Sequence, residues 1–294
     1  MIARRTFLQG AAALAASPSF GGIFREKPTI DTHAHVFRRD LPVAERRRYT
    51  VDYNATPHDY LAMLRGNGMA RGVLIQPSFL GFDNSYLLAV IARNKGMLRG
   101  IVALPRETAS AEMARLGKAG IAGVRLNLIG RNDPDLDAPE WRRHMDAVAE
   151  LGWQVEVQCE AARLPRLMPA LLASGAPVVI DHFGRPDAAL GIDDPGFRYL
   201  LTTARSGKAY VKLSAPYRVG SDLADAAAPL LLDAFGPERL LWGSDWPHTQ
   251  FEAQADAKAC RRALDHWVPD AGQRATILST TPARLFGFDT PKVR

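Results

Sequence analysis

Covalent cross-links have almost nothing to work with in this chain: 294 residues carry two cysteines, Cys159 and Cys260. Two are too few for a disulfide scaffold, and Cys159 lies in an apolar run, where it reads as a small core residue. Long hydrophobic runs are missing too. No segment approaches the roughly 20 uninterrupted apolar residues of a membrane span, so no membrane partner is expected for the mature chain. The first apolar run is not followed by a glycine-rich phosphate turn, which argues against a doubly wound dinucleotide fold. The net charge is +6, yet the basic residues are scattered apart from Arg46-Arg47-Arg48, and no basic stripe is interleaved with aromatics. Nucleic acid is therefore not the expected partner; a small anionic substrate accounts for excess arginine equally well.

What is present divides into a short leader and one large domain. Residues 1–22 open with Arg4-Arg5-Thr6-Phe7-Leu8, followed by a short, mild apolar stretch and the small residues Ala15-Ala16-Ser17. This resembles a twin-arginine export signal and implies a periplasmic or exported protein; without it the chain would be cytoplasmic. Removing it would take two positive charges from the total. The chain is 47% hydrophobic overall, enough for a substantial core, and from residue 28 it alternates strand-like and helix-like segments. Strand runs centre on Ile30, Val73–Ile75, Ile101–Ala103, Val124–Leu126, Val155–Val157, Val178–Ile180, Tyr210–Leu213 and Leu240–Trp242. Helical segments separate them, the first opened by Thr56-Pro57 and closed before Gly68, the last long one covering about Glu252–Trp267. Eight strand-then-helix units without a linker or internal repeat predict a single-domain (β/α)8 barrel over about 28–288.

In such a barrel the active site forms at the C-terminal strand ends. His33 and His35 fall at the first of these, and alternation along a strand turns both to one side together with Asp31. His182 ends the sixth run and Asp245 the eighth. Imidazoles and a carboxylate converging there suit metal ligation, or hydrogen bonding to a developing oxyanion.

His33-Ala34-His35, Asp181-His182-Phe183-Gly184-Arg185-Pro186 and Trp242-Gly243-Ser244-Asp245-Trp246-Pro247-His248 resemble the amidohydrolase superfamily, in its amidohydrolase-related branch. Gln76-Pro77-Ser78, Asp83-Asn84-Ser85 and Val211-Lys212-Leu213-Ser214-Ala215-Pro216-Tyr217 narrow the likeness to the 2-pyrone-4,6-dicarboxylate lactonase group, although sugar lactonases share much of the pattern. The likeness spans about residues 28–288. Binuclear members of the superfamily place a carboxylated lysine or a glutamate at the end of strand five. Here that strand reads Gln154-Val155-Glu156-Val157-Gln158 and has no lysine; only Glu156 or Gln158 would be available. The resemblance therefore implies a site that needs no metal, the alternative being one divalent ion, zinc or manganese, held by His33, His35, His182 and Asp245.

The expected chemistry is hydrolysis of a lactone. Asp245 would be the general base that activates water, its pKa raised by burial beside Trp242 and Trp246. His33, His35 and His182 would polarise the carbonyl. His248, further along the loop, is either a surface residue or a support. Arg125, Arg131, Arg185 and Arg218 near strand ends would bind carboxylates, because the guanidinium fork matches that group; the competing reading is ordinary pairing with Asp133, Asp135 or Asp187. Ser78, Tyr53 and Tyr217 would add hydroxyl contacts. Two other functions remain open: a metal-dependent hydrolase or nonoxidative decarboxylase of the same branch, and a periplasmic binding protein that has kept the barrel without turnover.

Overall fold

The computed structural model describes residues 28–288. Eight parallel strands form one sheet in sequence order: β1 (Ile30–Ala34), β2 (Arg71–Ile75), β3 (Leu98–Val102), β4 (Ile121–Asn127), β5 (Gln154–Gln158), β6 (Val178–Ile180), β7 (Ala209–Ser214) and β8 (Leu240–Gly243). All eight expected strands are present. Helices follow the first seven in turn: α1 (Pro57–Gly66), α2 (Ser85–Arg93), α3 (Ser110–Lys118), α4 (Pro139–Glu150), α5 (Leu164–Ala173), α6 (Pro195–Thr203) and α7 (Ser221–Phe235). After β8 come α8 (Ala257–Trp267), α9 (Ala271–Ala275) and α10 (Thr281–Leu285). This is a nearly closed (β/α)8 barrel. The residues read above as a twin-arginine leader lie outside the described residues.

The seam between β8 and β1 is closed by backbone bonds past the strand ends: Asp245 N donates to His33 O at 2.8 Å, and His35 N to Trp246 O at 2.7 Å. Gly243 makes that approach feasible, since a Cβ there would sit 2.6 Å from His33 Cβ and 2.9 Å from its backbone nitrogen.

The strands' period-two pattern sorts side chains between two buried environments. On β5, Val155 and Val157 join the apolar layer under the helices, and so do Val211 and Leu213 on β7. The alternate residues, Gln154, Glu156 and Gln158 on β5 and Lys212 and Ser214 on β7, are equally buried and so line the barrel interior. The interior's other end is apolar, with Ile30, Val73, Ile101, Val179 and Leu241 packed against Phe286 and Phe288.

Two boundaries differ from expectation. Helix α8 begins only after Asp256, whose side chain caps it by accepting from Ala259 N; Glu252 instead accepts from Tyr53 Oη and Gln250 N. Helix α6 begins at Pro195 rather than Phe197, because Asp194 accepts from Gly196 N and Phe197 N. Among the described residues, no helix is long and apolar enough to cross a membrane.

Candidate active site

Strain marks the working end of the barrel. Among the described residues, every non-glycine position with positive φ (His182, Phe183, Arg185, Ala215, Asp245, His248 and Gln250) lies in a loop after β6, β7 or β8. Such backbone persists only where its surroundings enforce it.

These loops bring Asp245 to His33 on β1 and His35 just past its end. His33 Nε2 lies 3.6 Å and His35 Nε2 3.7 Å from Asp245 Oδ1. The His33 ring lies 5.0 Å from His35 and 4.9 Å from His182, centroid to centroid. Asp31 does not join them. The register shifts between Asp31 and Ala34, and the Asp31 carboxylate accepts instead from Ser244 N, Ser244 Oγ and Tyr60 Oη of α1. Burial pushes Asp31 up to about 6.

The hydrogen bonds assign roles to the imidazoles. His35 Nδ1 is 2.8 Å from Ile75 O. A carbonyl only accepts, so Nδ1 carries the hydrogen and the neutral ring presents a bare Nε2 to Asp245. Burial lowers His35 to about 4, so near neutral pH it accepts a hydrogen bond and does not polarise a carbonyl. His182 Nδ1 lies 2.9 Å from Ser214 Oγ; with Ser214 donating, its Nε2 keeps a hydrogen. Burial lowers His182 to about 3 and takes His33 well below the ordinary range.

Asp245 departs from expectation. Burial pushes its carboxyl up, but Arg218 and the imidazoles outweigh that, and it is held well below the ordinary carboxylate range. Oδ2 accepts from Arg218 Nε and from Tyr217 Oη, each at 2.6 Å. Tyr217 spends its only hydrogen there, so its oxygen accepts from His248 Nδ1 at 3.0 Å. His248 is therefore a buried support of Asp245, acting through the tyrosine.

The arginines divide. Arg125 is buried, with Nη2 2.7 Å from Gln158 Oε1 and 3.1 Å from Asp181 Oδ2. Arg218 pairs with Asp245. Arg185 Nε is buried and has no hydrogen-bond partner among the described residues. Arg131 is exposed and has no ion pair among the described residues, because Asp133 is taken by Arg163 and Arg166. Ser78 starts the turn after β2, and Tyr53 donates to Glu252 at 2.7 Å.

Two residues in this region had no role assigned to them from the sequence. Arg48 comes in from the β1–α1 loop with its Cδ against Gly130. Arg48 is exposed, yet partial desolvation and the nearby Arg218 and Arg125 lower its pKa, and burial followed by Arg218 does the same for Arg185. Lys212 is fully buried beneath His33, against Glu156, with Nζ 3.4 Å from Asp181 Oδ1 and 3.1 Å from His33 Nδ1. With Arg125 it balances two buried carboxylates with two cations, as charges deprived of water require.

By residue type, His33 with His35 and Asp245, or His33 with Asp181 and His182, would suit a divalent ion. In the first set the His33 atom that faces Asp245 is Nε2, while its Nδ1 lies 3.1 Å from Lys212 Nζ.

His182→Asn tests this electrostatic picture. Position 182 has φ 50°, which asparagine tolerates. Below about pH 6.5 the unfolded chain protonates His182, while the folded chain resists until about pH 3. Stability from this group therefore falls as pH drops through that window. Relative to wild type, the variant is expected to gain about 3 kcal/mol between neutral pH and about pH 4. Urea unfolding at both pH values measures it; no relative gain would mean that His182 is not buried neutral.

Comparison with known proteins agrees with this architecture. The family described as Amidohydrolase matches residues 30–288. The chain is 32% identical to 4-sulfomuconolactone hydrolase of Rhizobium radiobacter over 271 residues, 89% of this chain and 90% of that one. It is 30% identical to the 2-pyrone-4,6-dicarboxylate hydrolase of Comamonas testosteroni over 274 residues, 87% and 89% of the two chains. A crystal structure from Pseudomonas putida, assigned as a 2-pyrone-4,6-dicarboxylic acid hydrolase, superposes with a TM-score of 0.84 at 43% identity, covering 90% of this chain and 99% of that one. The chain belongs to the amidohydrolase family. Within it, the chain stands beside hydrolases of lactones.

Proposed function

We propose that the protein opens a small lactone bearing carboxylate or similar anionic groups, with Asp245 as the base that activates water and no metal required. The observation that carries this reading is the pairing of Asp245 Oδ1 with His33 Nε2 and His35 Nε2 at 3.6 and 3.7 Å, beside guanidinium groups that lack carboxylate partners among the described residues. Two relatives are named for lactones carrying a sulfo group or carboxylates, which agrees with those arginines.

In this reading Asp245 takes a proton as water attacks the acyl carbon and returns it to the ring oxygen as the C–O bond breaks. His182, through Nε2–H, stabilises the oxyanion, a well-placed donor of a kind that contributes about 3–4 kcal/mol. The Nε2–H of His33 holds the attacking water, and the carbonyl oxygen develops its charge close by. His35 accepts a hydrogen bond from the attacking water. Arg131, Arg185 and Arg48 hold the substrate's anionic groups. Ser78, Tyr53 and Tyr217 border the site, Tyr217 acting through Asp245.

A panel of carboxylated and sugar lactones, assayed with and without chelator, tests the reading. Turnover of carboxylated lactones that survives chelation is expected; turnover only with added zinc or manganese would overturn the metal-free part. Binding of a carboxylated lactone without product would instead indicate a binding protein. Arg48→Ala is expected to raise KM about tenfold or more for a dianionic lactone, the loss of one charge-assisted contact, and to leave a neutral lactone unaffected. Equal effects on both substrates would remove Arg48 from anion binding. We also propose export through the twin-arginine leader. Replacing Arg4 and Arg5 with lysine should hold the protein in the cytoplasm, and unchanged fractionation would refute it.

A further inference from the structure

Lys212 has no exposed surface. Its Nζ meets three groups: Glu156 Oε2, Asp181 Oδ1 at 3.4 Å and His33 Nδ1 at 3.1 Å. An ammonium has three hydrogens and no lone pair; Glu156 Oε2 and His33 Nδ1 lie in hydrogen-bonding geometry to it, whereas Asp181 Oδ1 is an ion-pair contact without a hydrogen bond. His33 Nδ1 must then accept. A neutral imidazole that accepts at Nδ1 carries its hydrogen on Nε2. The other arrangement, Nδ1–H toward Asp181 Oδ1 at 3.3 Å, would set that hydrogen against the hydrogens of the nearer ammonium.

The consequence lies on the other side of the ring. His33 Nε2 is buried without a hydrogen-bond partner among the described residues and faces Asp245 Oδ1. His35, fixed by Ile75 O, offers a lone pair to the same point. Three atoms thus converge as one donor and two acceptors. Water matches that pattern: it accepts from His33 and donates to His35 and Asp245. A divalent cation does not, because every ligand must present a lone pair.

We propose that Lys212 is a positioning residue that fixes the hydrogen of His33 on Nε2, and thereby makes the point shared by His33, His35 and Asp245 a seat for water and not for a divalent cation. The role of that water in catalysis rests on the lactonase reading; the tautomer and the metal preference do not. Glu156 is the partner whose charge Lys212 neutralises, so exchanging both residues keeps the buried charge balanced.

The test uses ring nitrogen NMR of the full chain, with His33 assigned by its loss in His33→Gln. In the wild type, His33 is expected to be protonated on Nε2. In Lys212→Met, and in the charge-balanced Lys212→Met/Glu156→Gln, the hydrogen should move to Nδ1 and toward Asp181. Titration of chelator-washed protein with zinc alone should then show at least tenfold tighter binding in the variants. Protonation of His33 on Nδ1 in the wild type overturns the proposal even if neither variant folds. An unmoved tautomer, or equal zinc affinity in folded variants, overturns it as well. No lactone enters these measurements, so a failure here is separable from a failure of the proposed activity.

Discussion

Asp245→Asn is expected to lower the rate of lactone hydrolysis roughly a thousandfold or more while leaving the fold intact, a loss in the upper range for a positioned general base. Both halves of that outcome follow from the hydrogen bonds. Arg218 and Tyr217 donate to Oδ2 at 2.6 Å each, so the amide oxygen of asparagine takes that side. The amide nitrogen then faces His35 Nε2, which is an acceptor because its Nδ1–H is committed to Ile75 O. A base is replaced by a donor that His35 satisfies, while the Nε2–H of His33 loses the acceptor it faced. The backbone raises no objection, since Asp245 has φ 56° and asparagine visits that region readily. Hydrolysis within about tenfold of wild type, at unchanged melting temperature, would remove Asp245 from its assigned role.

The same residue shows where sequence reasoning stops. Its place at a strand end is legible, because the apolar runs and helical segments alternate regularly enough to count eight units. Its electrostatics are not. Burial alone raises a carboxyl, and the sign reverses because the loop after β7 folds Arg218 onto it, beside the imidazoles; Arg218 thus pairs with Asp245 and does not stand free for a substrate as expected. Arg48 is hidden for another reason: in the run Arg46-Arg47-Arg48 nothing distinguishes the third residue, which reaches Gly130 and the site's other arginines.

Lys212 and Glu156 illustrate a property of barrels. In Gln154-Val155-Glu156-Val157-Gln158 and Tyr210-Val211-Lys212-Leu213-Ser214 the alternation of apolar and polar residues looks like a half-exposed strand. A barrel strand has no exposed face, so the polar set turns inward, where it must neutralise itself. The lysine that strand five lacks reaches Glu156 from β7. Asp31 joins the histidines only if alternation is extended through a register shift that the sequence does not announce. The cap at Asp194-Pro195 is legible in principle, being the same signal as Thr56-Pro57.

The second large effect is structural. Gly243→Ala is expected to destabilise the protein by about 3 kcal/mol, the upper end of ordinary overpacking costs, and to depress activity beyond what the lost stability accounts for. A Cβ at this position would lie 2.6 Å from His33 Cβ and 2.9 Å from His33 N. The second contact is with backbone and cannot be relieved by a rotamer change. β1 and β8 must separate, and what spans them is the pair of bonds from Asp245 N to His33 O and from His35 N to Trp246 O. Those bonds set the distance between Asp245 and the imidazoles of His33 and His35. Opening the seam therefore moves Asp245 away from His33 and His35 together, and a displacement of about 1 Å in a catalytic array is enough to cost about a hundredfold in rate. Chemical denaturation and hydrolysis assayed well below the melting temperature separate the two effects. Normal activity in folded Gly243→Ala would show that the seam does not set the geometry of the site.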